Sequence, residues 1–274
     1  MSARTTTATT ESRGLPDLAG QRVLITGASG GLGGGIARAF AAAGARLALH
    51  YRGASRASSD AVGALARELR EAGAEAETLR ADLALPGAAP ALIDDAVSAL
   101  GGIDGLVNNA GVQPVATLAE TTRAEWDEVL GTNLGAVFEL SQAAAAVMMR
   151  GGDRGASRWI THIASVEAHR PSPAHAHYAA AKAGLVMHAR AAALELGPLG
   201  IRVNTVSPGL VDRPGLAEAW PEGVESWTSR APLGRLATPA DIGGACVLLA
   251  SPAAAFITGQ DLAVDGGMLA TPGW

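Results

Sequence analysis

The segment HAHYAAAKAGL, residues 175–185, places a phenol and an amine one helical turn apart. Tyr178 is one of only two tyrosines in the chain, and Lys182 follows it four residues later. Side chains at positions i and i+4 lie on one face of a helix. A free phenol has a pKa of about 10, which is too high for efficient proton transfer near neutral pH. A neighbouring ammonium favours the phenolate, so the spacing predicts that Lys182 lowers the pKa of Tyr178 for acid–base catalysis.

Two histidines stand just before this pair, at positions 175 and 177. A metal pair is one interpretation, but no acid or cysteine lies close to them in sequence, so we interpret them as loop residues at a pocket rim. Glu167 and His169 either line that pocket or lie in solvent. The single cysteine, Cys246, lies in an apolar run and can form neither an intramolecular disulfide nor a cysteine-rich zinc site. The sequence predicts no metal centre.

The elements that must position these groups alternate regularly along the chain. Segments of helical spacing, many of them ending at glycine, separate apolar runs that indicate strands. The alternation predicts an α/β fold, a single-domain Rossmann-type doubly wound parallel sheet of about seven strands with helices on both faces. The predicted strands are 22–27, 46–51, 76–83, 105–111, 158–165, 201–209 and 261–267. The longest irregular stretch, 210–232, is expected to be a lid.

The first strand runs into a glycine-rich turn and a helix, VLITGASGGLGGGIARAF. Gly27, Gly31 and Gly33 allow a tight turn and close approach of a pyrophosphate to the N-terminus of the helix, although the spacing is not G-x-G-x-x-G. A merely tight connection is the alternative. Gly34 and Gly35 are unexpected, because each costs up to ~1 kcal/mol relative to alanine inside a helix.

The end of the second strand, LHYRGAS, indicates which dinucleotide is bound. An acid there accepts from the ribose 2′-hydroxyl in NAD-binding proteins, but here Arg52 follows the strand and no acid occurs before Asp60. Arg52 could pair with a 2′-phosphate, with help from His50, Tyr51 or Ser55. The sequence therefore favours NADP(H) over NAD(H), with a solvated loop arginine as the alternative.

Together these motifs resemble the short-chain dehydrogenase/reductase family over nearly all of the chain, and its 3-oxoacyl-[acyl-carrier-protein] reductase-like branch in particular. The further matching features are Asp82 after the third strand, NNAG at 108–111, Asn133 in TNL, Ser165 thirteen residues before Tyr178, SPG at 207–209 followed by Val211, and DGG at 265–267. The sequence departs from the family pattern at Ala164, at His162, where asparagine is common, and at Arg213, where threonine is frequent.

The resemblance implies a catalytic set of Asn133, Ser165, Tyr178 and Lys182. In that family Tyr178 would exchange the proton, Lys182 would reach the nicotinamide ribose, Ser165 would bind the substrate oxygen, and Asn133 would hold a water that links Lys182 to solvent. Cofactor contacts are implied for Gly27, Ser29, Gly30, Gly31, Leu32, Gly33, Tyr51, Arg52, Asp82, Leu83, Asn109, Ala110, Gly111, Tyr178, Lys182, Pro208, Gly209 and Val211.

Composition narrows the possible partners. The net charge is −5 and no basic patch suggests nucleic acid or an anionic membrane. The uncharged stretch 242–259 is interrupted by Ser251-Pro252 and glycines, so we do not interpret it as a membrane span. Residues 1–17 are predicted to be a disordered polar tail before a domain at 18–274, and the lone cysteine suits the cytoplasm.

We therefore expect an NADP(H)-dependent ketone reductase or alcohol dehydrogenase that acts on a small-molecule ketone or alcohol. The alternatives are an NAD-dependent alcohol or sugar dehydrogenase, a dehydratase or epimerase, and a non-catalytic NADP-binding regulatory protein. The family resemblance implies a homotetramer, or a homodimer, with the helical segments 125–149 and 178–196 at one interface and the C-terminal strand at another.

Overall fold

The structure of the protein, a computed structural model, describes residues 16–150 and 157–272. Nearly all of the predicted N-terminal tail thus lies outside the described residues. The described chain enters the core at Leu18, whose side chain is 1 % exposed and whose N–H donates to the backbone oxygen of Ala43 at 2.7 Å.

Seven parallel strands form one sheet in the order β3-β2-β1-β4-β5-β6-β7, which confirms the predicted fold. The strands are β1 (Arg22–Ile25), β2 (Arg46–Tyr51), β3 (Ala76–Arg80), β4 (Gly105–Asn108), β5 (Arg158–Ile163), β6 (Ile201–Pro208) and β7 (Asp261–Val264). Most of them stop before their predicted carboxyl ends. In β1, for example, the backbone turns at Gly27, whose φ of 69° is incompatible with an extended strand.

Helices cover both faces of this sheet. They are α1 (Gly31–Ala42), α2 (Arg56–Glu71), α3 (Ala88–Leu100), α4 (Arg123–Leu130), α5 (Ala136–Arg150), α6 (Ala176–Leu196), α7 (Leu216–Ala219), α8 (Pro221–Arg230) and α9 (Pro239–Ala250). Residues of α1, α2 and α9 pack with Val23 and Ile25 on one face, while residues of α3, α5 and α6 pack with Leu24 on the other. Alternating side chains of β1 therefore serve two separate cores, as expected for a strand buried on both faces.

The strand order reverses between β1 and β4. After β1 the chain proceeds outward to β2 and β3, then crosses back to β4 on the other side of β1. In open α/β sheets the crevice at such a reversal, beyond the carboxyl ends of the strands, is the usual ligand site. The predicted site residues lie mostly in the segments that follow the carboxyl ends of β1 to β6, at that edge of the sheet.

Two predicted elements differ from the structure. The stretch 210–232 is not irregular, because α7 and α8 occupy much of it; its prolines and glycines hide a helical period in the sequence. The long helical pattern across 125–149 is interrupted by a π-helical turn, Gly131–Gly135, between α4 and α5. Such a turn shifts the helical register and is common at functional sites.

Candidate active site

The predicted serine, tyrosine and lysine come together beyond the carboxyl end of β5. Ser165 lies two residues after that strand, and Tyr178 and Lys182 lie on α6. Lys182 donates from Nζ to the backbone oxygen of Ile163 at 2.7 Å, and this Nζ is 5.5 Å from the centroid of the Tyr178 ring. Ser165 hydrogen-bonds Tyr178, while its Oγ accepts from the N–H of Glu167 at 3.1 Å. Since this hydrogen bond opposes the rise in the pKa of Tyr178, Ser165 donates its hydroxyl proton to Tyr178.

Burial controls the protonation of this set. It raises the pKa of Tyr178 to about 12, against the opposing hydrogen bond from Ser165, and the charge of Glu167 adds to the rise. Burial lowers the pKa of Lys182 to about 8. The predicted lowering of the Tyr178 pKa is therefore wrong for the polypeptide by itself, because loss of solvation outweighs the hydrogen bond from Ser165. At neutral pH Tyr178 holds its proton and most Lys182 is charged.

Asn133 lies on the π-helical turn and is fully buried. Its Oδ1 accepts from the N–H of Val112 at 2.8 Å, and its Nδ2 donates to the oxygen of Val112 at 2.8 Å. A Cβ on Gly111 would lie 3.0 Å from Asn133 Oδ1 and 3.8 Å from Lys182 Nζ. Asn133 therefore holds the segment after β4 beside Lys182, which is a positioning contact that the sequence did not predict.

The turn after β1 is tied to the segment after β4. Thr26 Oγ1 accepts from the N–H groups of Asn109 and Ala110, both at 2.9 Å. Asn109 Nδ2 donates to the backbone oxygens of Thr26 at 2.9 Å and Gly27 at 3.2 Å. The structure thus brings two predicted cofactor motifs together across the reversal of strand order.

Glycine is required at two positions of this turn. A Cβ at Gly27, where φ is 69°, would lie 2.9 Å from the Cα of Ala110, and one at Gly33 would lie 2.2 Å from the oxygen of Gly27. Gly31, by contrast, has no atom within 4 Å of a built Cβ. The α1 N-terminus, preceded by Gly30, has no side-chain cap and no acid in its first turn. Ser29 and Leu32 are half-buried beside these glycines.

Free N–H groups at an uncapped helix N-terminus form an anion site. The open space at Gly31 and the absence of a competing acid in the first turn of α1 fit the pyrophosphate of a dinucleotide. The residues present are therefore compatible with the predicted cofactor.

Two arginines lie at the carboxyl ends of β2 and β3. Arg52 is exposed directly after β2, and half-buried Tyr51 pairs with Arg80 in the register of the two strands. A Cβ at Gly53 would lie 2.5 Å from Nε of Arg80, so the guanidinium of Arg80 lies against the turn that carries Arg52. Neither arginine forms an ion pair with any described residue. Arg80 was not among the residues predicted from the sequence, although its position at the end of the neighbouring strand was a usable signal.

His50 does not join these arginines, which corrects the suggestion that it helps to bind a 2′-phosphate. It is 2 % exposed, its Nδ1 accepts from the N–H of Gly27 at 3.2 Å, and its Nε2 donates to the oxygen of Ala81 at 3.0 Å. Burial lowers the pKa of His50, so it stays neutral. It supports the glycine turn from beneath. Ser55 caps α2 by accepting from the N–H of Ser58.

Asp82 and Leu83 are half-buried just after β3, in the position predicted for an adenine contact. Asp82 Oδ1 accepts from the N–H of Ala84 at 3.2 Å. Its other carboxylate oxygen makes no hydrogen bond to a described residue, so it can accept from a ligand.

The predicted nicotinamide segment follows β6. Pro208 ends that strand, Gly209 donates to the oxygen of Val264 at 3.0 Å, and Val211 forms a bridge with Ala237. A Cβ at Gly209 would lie 2.5 Å from the Trp227 ring, so α8 packs directly on this segment. Arg213, the departure from the family pattern, is exposed.

His162 occupies the position where asparagine is common in the family. Its buried imidazole joins Asn108 and His188 in a row of hydrogen-bonded side chains. Its Nδ1 lies 3.1 Å from Nδ2 of Asn108, and its Nε2 lies 3.3 Å from Nδ1 of His188. Burial, together with the charge of Lys182 and the neighbouring His188, lowers the pKa of His162 to about 3. His162 is therefore a neutral group of the interior behind the site.

The two histidines before Tyr178 are not both loop residues. His177 is fully buried on α6, and its Nδ1 accepts from the N–H of Tyr178 at 2.9 Å. His175 precedes the helix and pairs with Glu167, 3.0 Å from its carboxylate. Within the described ranges, no three His, Cys, Asp or Glu side chains are grouped to hold a metal ion.

The chain belongs to the short-chain dehydrogenase/reductase family of oxidoreductases, which use a nicotinamide cofactor to act on small molecules. Residues 27–269 match the family model described as enoyl-(acyl carrier protein) reductase. The reductase-like branch inferred from the motifs is confirmed by similarity to the 3-oxoacyl-[acyl-carrier-protein] reductase FabG of Staphylococcus aureus, which is 36% identical over 245 residues, or 89% of this chain and 96% of that protein.

Two other relatives carry different names. The chain is 36% identical to 3beta-hydroxysteroid dehydrogenase 1 of Eggerthella lenta over 260 residues, covering 94% of this chain and 97% of the relative. It is 38% identical to L-rhamnose 1-dehydrogenase (NAD(P)(+)) of Azotobacter vinelandii over 250 residues, covering 90% and 95%. Relatives of similar identity thus differ in substrate.

Solved structures agree on the fold. A short-chain type dehydrogenase/reductase from Mycobacterium marinum superposes with a TM-score of 0.84 at 36% identity, covering 93% of this chain and 98% of that chain. A 7α-hydroxysteroid dehydrogenase complexed with NADH and 7-oxo glycochenodeoxycholic acid gives 0.84 at 34% identity, covering 92% and 95%. None of the helices that the structure describes is long and apolar enough to cross a membrane.

Proposed function

We propose that the protein is an NADP(H)-preferring oxidoreductase that transfers hydride between the nicotinamide and a ketone or secondary alcohol, in the manner of a 3-oxoacyl reductase-like ketoreductase. The observation that carries this proposal is the convergence of Ser165, Tyr178 and Lys182 beyond β5. It lies at the same edge of the sheet as the uncapped N-terminus of α1.

The bound cofactor supplies the hydride for reduction, or accepts it in the oxidation of an alcohol. Tyr178 Oη gives its proton to the substrate oxygen, and the pKa of about 12 keeps that proton in place until the oxygen develops negative charge. The Ser165 hydroxyl, which donates to Tyr178 when no substrate is bound, hydrogen-bonds the same oxygen without transferring its proton and stabilises the developing charge. One C–H and one O–H bond form on the substrate, while its carbonyl π bond, the C–H bond of the hydride donor and the O–H bond of Tyr178 break.

Lys182 stabilises the phenolate that remains. Its ammonium is fixed by the oxygen of Ile163 and faces the Tyr178 ring, where its charge opposes the cost of burying an anion. Nζ has two further protons with which to bind the ribose hydroxyls. Asn133 acts through the backbone of Val112, which places Gly111 beside Lys182.

The preference for NADP(H) is supported by Arg52 and Arg80 at the ends of β2 and β3. Two guanidinium groups without acidic partners favour a dianionic 2′-phosphate, and the lack of an acid there weakens binding of a free ribose. The name of the A. vinelandii relative includes NAD(P)(+), so that relative is named for use of either cofactor. This supports the second candidate, an NAD-dependent alcohol or sugar dehydrogenase.

The test measures cofactor oxidation by absorbance with NADPH and NADH over a ketone panel, alongside the Kd of each cofactor from its fluorescence. The panel contains a β-ketoacyl thioester, a cyclic diketone, an aryl ketone and a hydroxy ketone. We expect NADPH turnover with at least one class, and roughly tenfold or stronger binding of NADPH than NADH. Tight cofactor binding with no turnover of any carbonyl would instead support a non-catalytic regulatory protein.

The variant Arg52→Asp sharpens the cofactor part of this test. A carboxylate there repels a 2′-phosphate and accepts from a 2′-hydroxyl, so the ratio of NADPH to NADH affinity should fall by roughly a hundredfold. An unchanged ratio would remove Arg52 from the proposed phosphate site.

We also propose a homo-oligomer, a homotetramer or homodimer, located in the cytoplasm. Exposed apolar side chains on α5 and α6 support a helical interface, and Phe256, near β7, supports a second one. The supporting side chains on the helices are Phe138, Met149, Met187 and Leu194. The molar mass from light scattering tests the assembly, and Leu194→Glu should lower it.

A further inference from the structure

A carboxylate–imidazole pair flanks the reacting groups. Glu167 follows Ser165 by two residues, and His175 lies three residues before Tyr178. Nδ1 of His175 lies 3.1 Å and 3.0 Å from the two carboxylate oxygens of Glu167. The exposed fractions of the two side chains are 17% for His175 and 11% for Glu167. The reaction as proposed above uses neither residue.

The pair is held from several segments. Gln113 donates from Nε2 to Glu167 Oε1 at 3.2 Å, and the N–H of Ser172 approaches Oε2 at 3.4 Å. Ala174 has a φ of 62°, the one left-handed backbone angle of a non-glycine residue among those described, and its oxygen accepts from the N–H of Ala116 at 3.0 Å. Such a conformation costs free energy and persists where surrounding contacts impose it. The left-handed backbone at Ala174 sets the direction in which the chain continues into His175.

The hydrogen bond to Glu167 decides which imidazole nitrogen is free. An ionised carboxylate only accepts, so Nδ1 of His175 carries a proton. Nε2 makes no hydrogen bond to a described residue. The ring of His175 packs edge-on against that of Tyr178, with centroids 6.2 Å apart and planes at 64°. Glu167 contacts Ser165 through its backbone N–H, and His175 contacts the Tyr178 ring, so the pair borders both residues proposed to bind the substrate oxygen.

We propose that His175, oriented by Glu167, forms a polar subsite for a hydroxyl group on the carbon next to the reacting carbon. This inference rests on the proposed function and names its substrate class, neutral α-hydroxy ketones and the corresponding vicinal diols. A hydroxyl both donates and accepts, so it satisfies Nε2 in either protonation state. A simple ketone displaces water and leaves Nε2 unpaired, and the nearby Glu167 charge disfavours a carboxylate at this position.

The experiment compares substrates that differ only in the α-hydroxyl. The pairs are acetoin and butanone, 2-hydroxycyclohexanone and cyclohexanone, and α-hydroxyacetophenone and acetophenone. Each compound is reduced with NADPH. We expect the wild-type kcat/KM to favour the hydroxylated member of the pairs that turn over by roughly tenfold or more, because sites built to bind a hydroxyl discriminate strongly against its absence.

Variants separate this role from a structural one. His175→Phe keeps the ring against Tyr178 but has no Nε2, so the preference should fall to about one. His175→Gln should restore part of it through its amide. The matched control is His169→Phe, since His169 lies on the same loop but pairs with Asp261 instead of Glu167, and it should keep the wild-type ratio. Thermal unfolding and the NADPH Kd should be unchanged in His175→Phe.

The outcomes distinguish the two proposals. Turnover of ketones with no preference for the hydroxylated member, or a preference that survives His175→Phe, overturns the subsite and leaves the reductase standing. Tight NADPH binding without turnover of any pair or of the wider panel overturns both. His175→Phe could fail to fold, in which case His175→Ala and Glu167→Gln decide the outcome. If both keep the wild-type ratio of kcat/KM for hydroxylated over simple ketones, the pair has a structural role and the subsite is overturned.

Discussion

The two sides of the crevice are built by different means. On the cofactor side, the turn after β1 is fixed by backbone atoms and glycines, with Gly33 packed on the oxygen of Gly27 and Thr26 bonded to the N–H groups of Asn109 and Ala110. On the substrate side, side chains of loops decide the chemistry, as in the pair of Glu167 and His175. The first construction tolerates few sequences, whereas the second can vary without changing the fold.

The largest effect is expected where the two sides meet, at Tyr178. Tyr178→Phe removes the proton that the substrate oxygen needs and leaves the ring in place, so kcat should fall by roughly 10²–10⁴-fold, the usual contribution of general acid–base catalysis. The Kd for NADPH, measured by fluorescence, should stay within about twofold. A variant with near wild-type turnover would contradict the assigned role of Tyr178.

This comparison explains what the sequence could predict. The seven strands and the glycine turn were predictable from periodicity and glycine spacing, whereas the grouping of Ser165, Tyr178 and Lys182 was expected from the family resemblance. The π-helical turn at Asn133 and the helices α7 and α8 were not, because local propensity there is weak and packing decides. The pKa of Tyr178 was predicted in the wrong direction, because the sequence does not show how completely the phenol is buried.

The cofactor side should fail under small changes of volume. A Cβ at Gly35 would lie 2.2 Å from the Cβ of Pro239 on α9 and 2.9 Å from its carbonyl carbon, so Gly35→Ala must separate α1 from α9. We expect a loss of about 1–3 kcal/mol in the free energy of unfolding, despite the better helix propensity of alanine. Urea denaturation measures it, and an unchanged midpoint would show that this helix contact is not tight.

Gly34 provides the matched control for that substitution. Its built Cβ has as nearest neighbour the terminal Nη1 of the half-exposed Arg38 side chain, at 3.3 Å. Gly34→Ala should therefore be neutral or stabilising by up to ~1 kcal/mol. Of the two glycines that were unexpected in the sequence, packing accounts for Gly35; Gly34 has no comparable steric requirement. Equal destabilisation by both substitutions would contradict this distinction.

Acid should destabilise the substrate side through His162. Its pKa is about 3 in the folded protein and about 6.5 when unfolded, so the unfolded chain binds more protons below about pH 6.5. The contribution of neutral His162 to the free energy of unfolding is therefore fully present above that pH, and it is lost as the pH falls toward about 3. Integration gives a loss of about 2 kcal/mol between about pH 7 and about pH 5.

The variant His162→Asn, with the residue common in the family, tests that assignment. It removes the titrating imidazole while keeping a polar partner for Asn108, so the fall in unfolding free energy from about pH 7 to about pH 5 should shrink by about 2 kcal/mol. Chemical denaturation at the two pH values provides the measurement. His50, also buried with a lowered pKa, should retain its own acid sensitivity in the variant. An undiminished slope would assign the acid lability to other groups.

The smallest effect is expected from Arg80, which touches the cofactor side only through a long, exposed side chain. Arg80→Gln keeps much of the packing on Gly53 but removes one of the two charges facing the proposed 2′-phosphate, so the NADPH Kd should rise by roughly threefold to tenfold while the NADH Kd stays constant. Raising the salt concentration should reduce the difference between variant and wild type, because an exposed ion pair is screened. Arg56→Gln, which removes an exposed arginine already paired with Asp60, is the control and should leave both constants unchanged. An equal rise for NADPH and NADH would place Arg80 near the shared part of the cofactor or in the fold, and NADP preference would then depend on Arg52 alone.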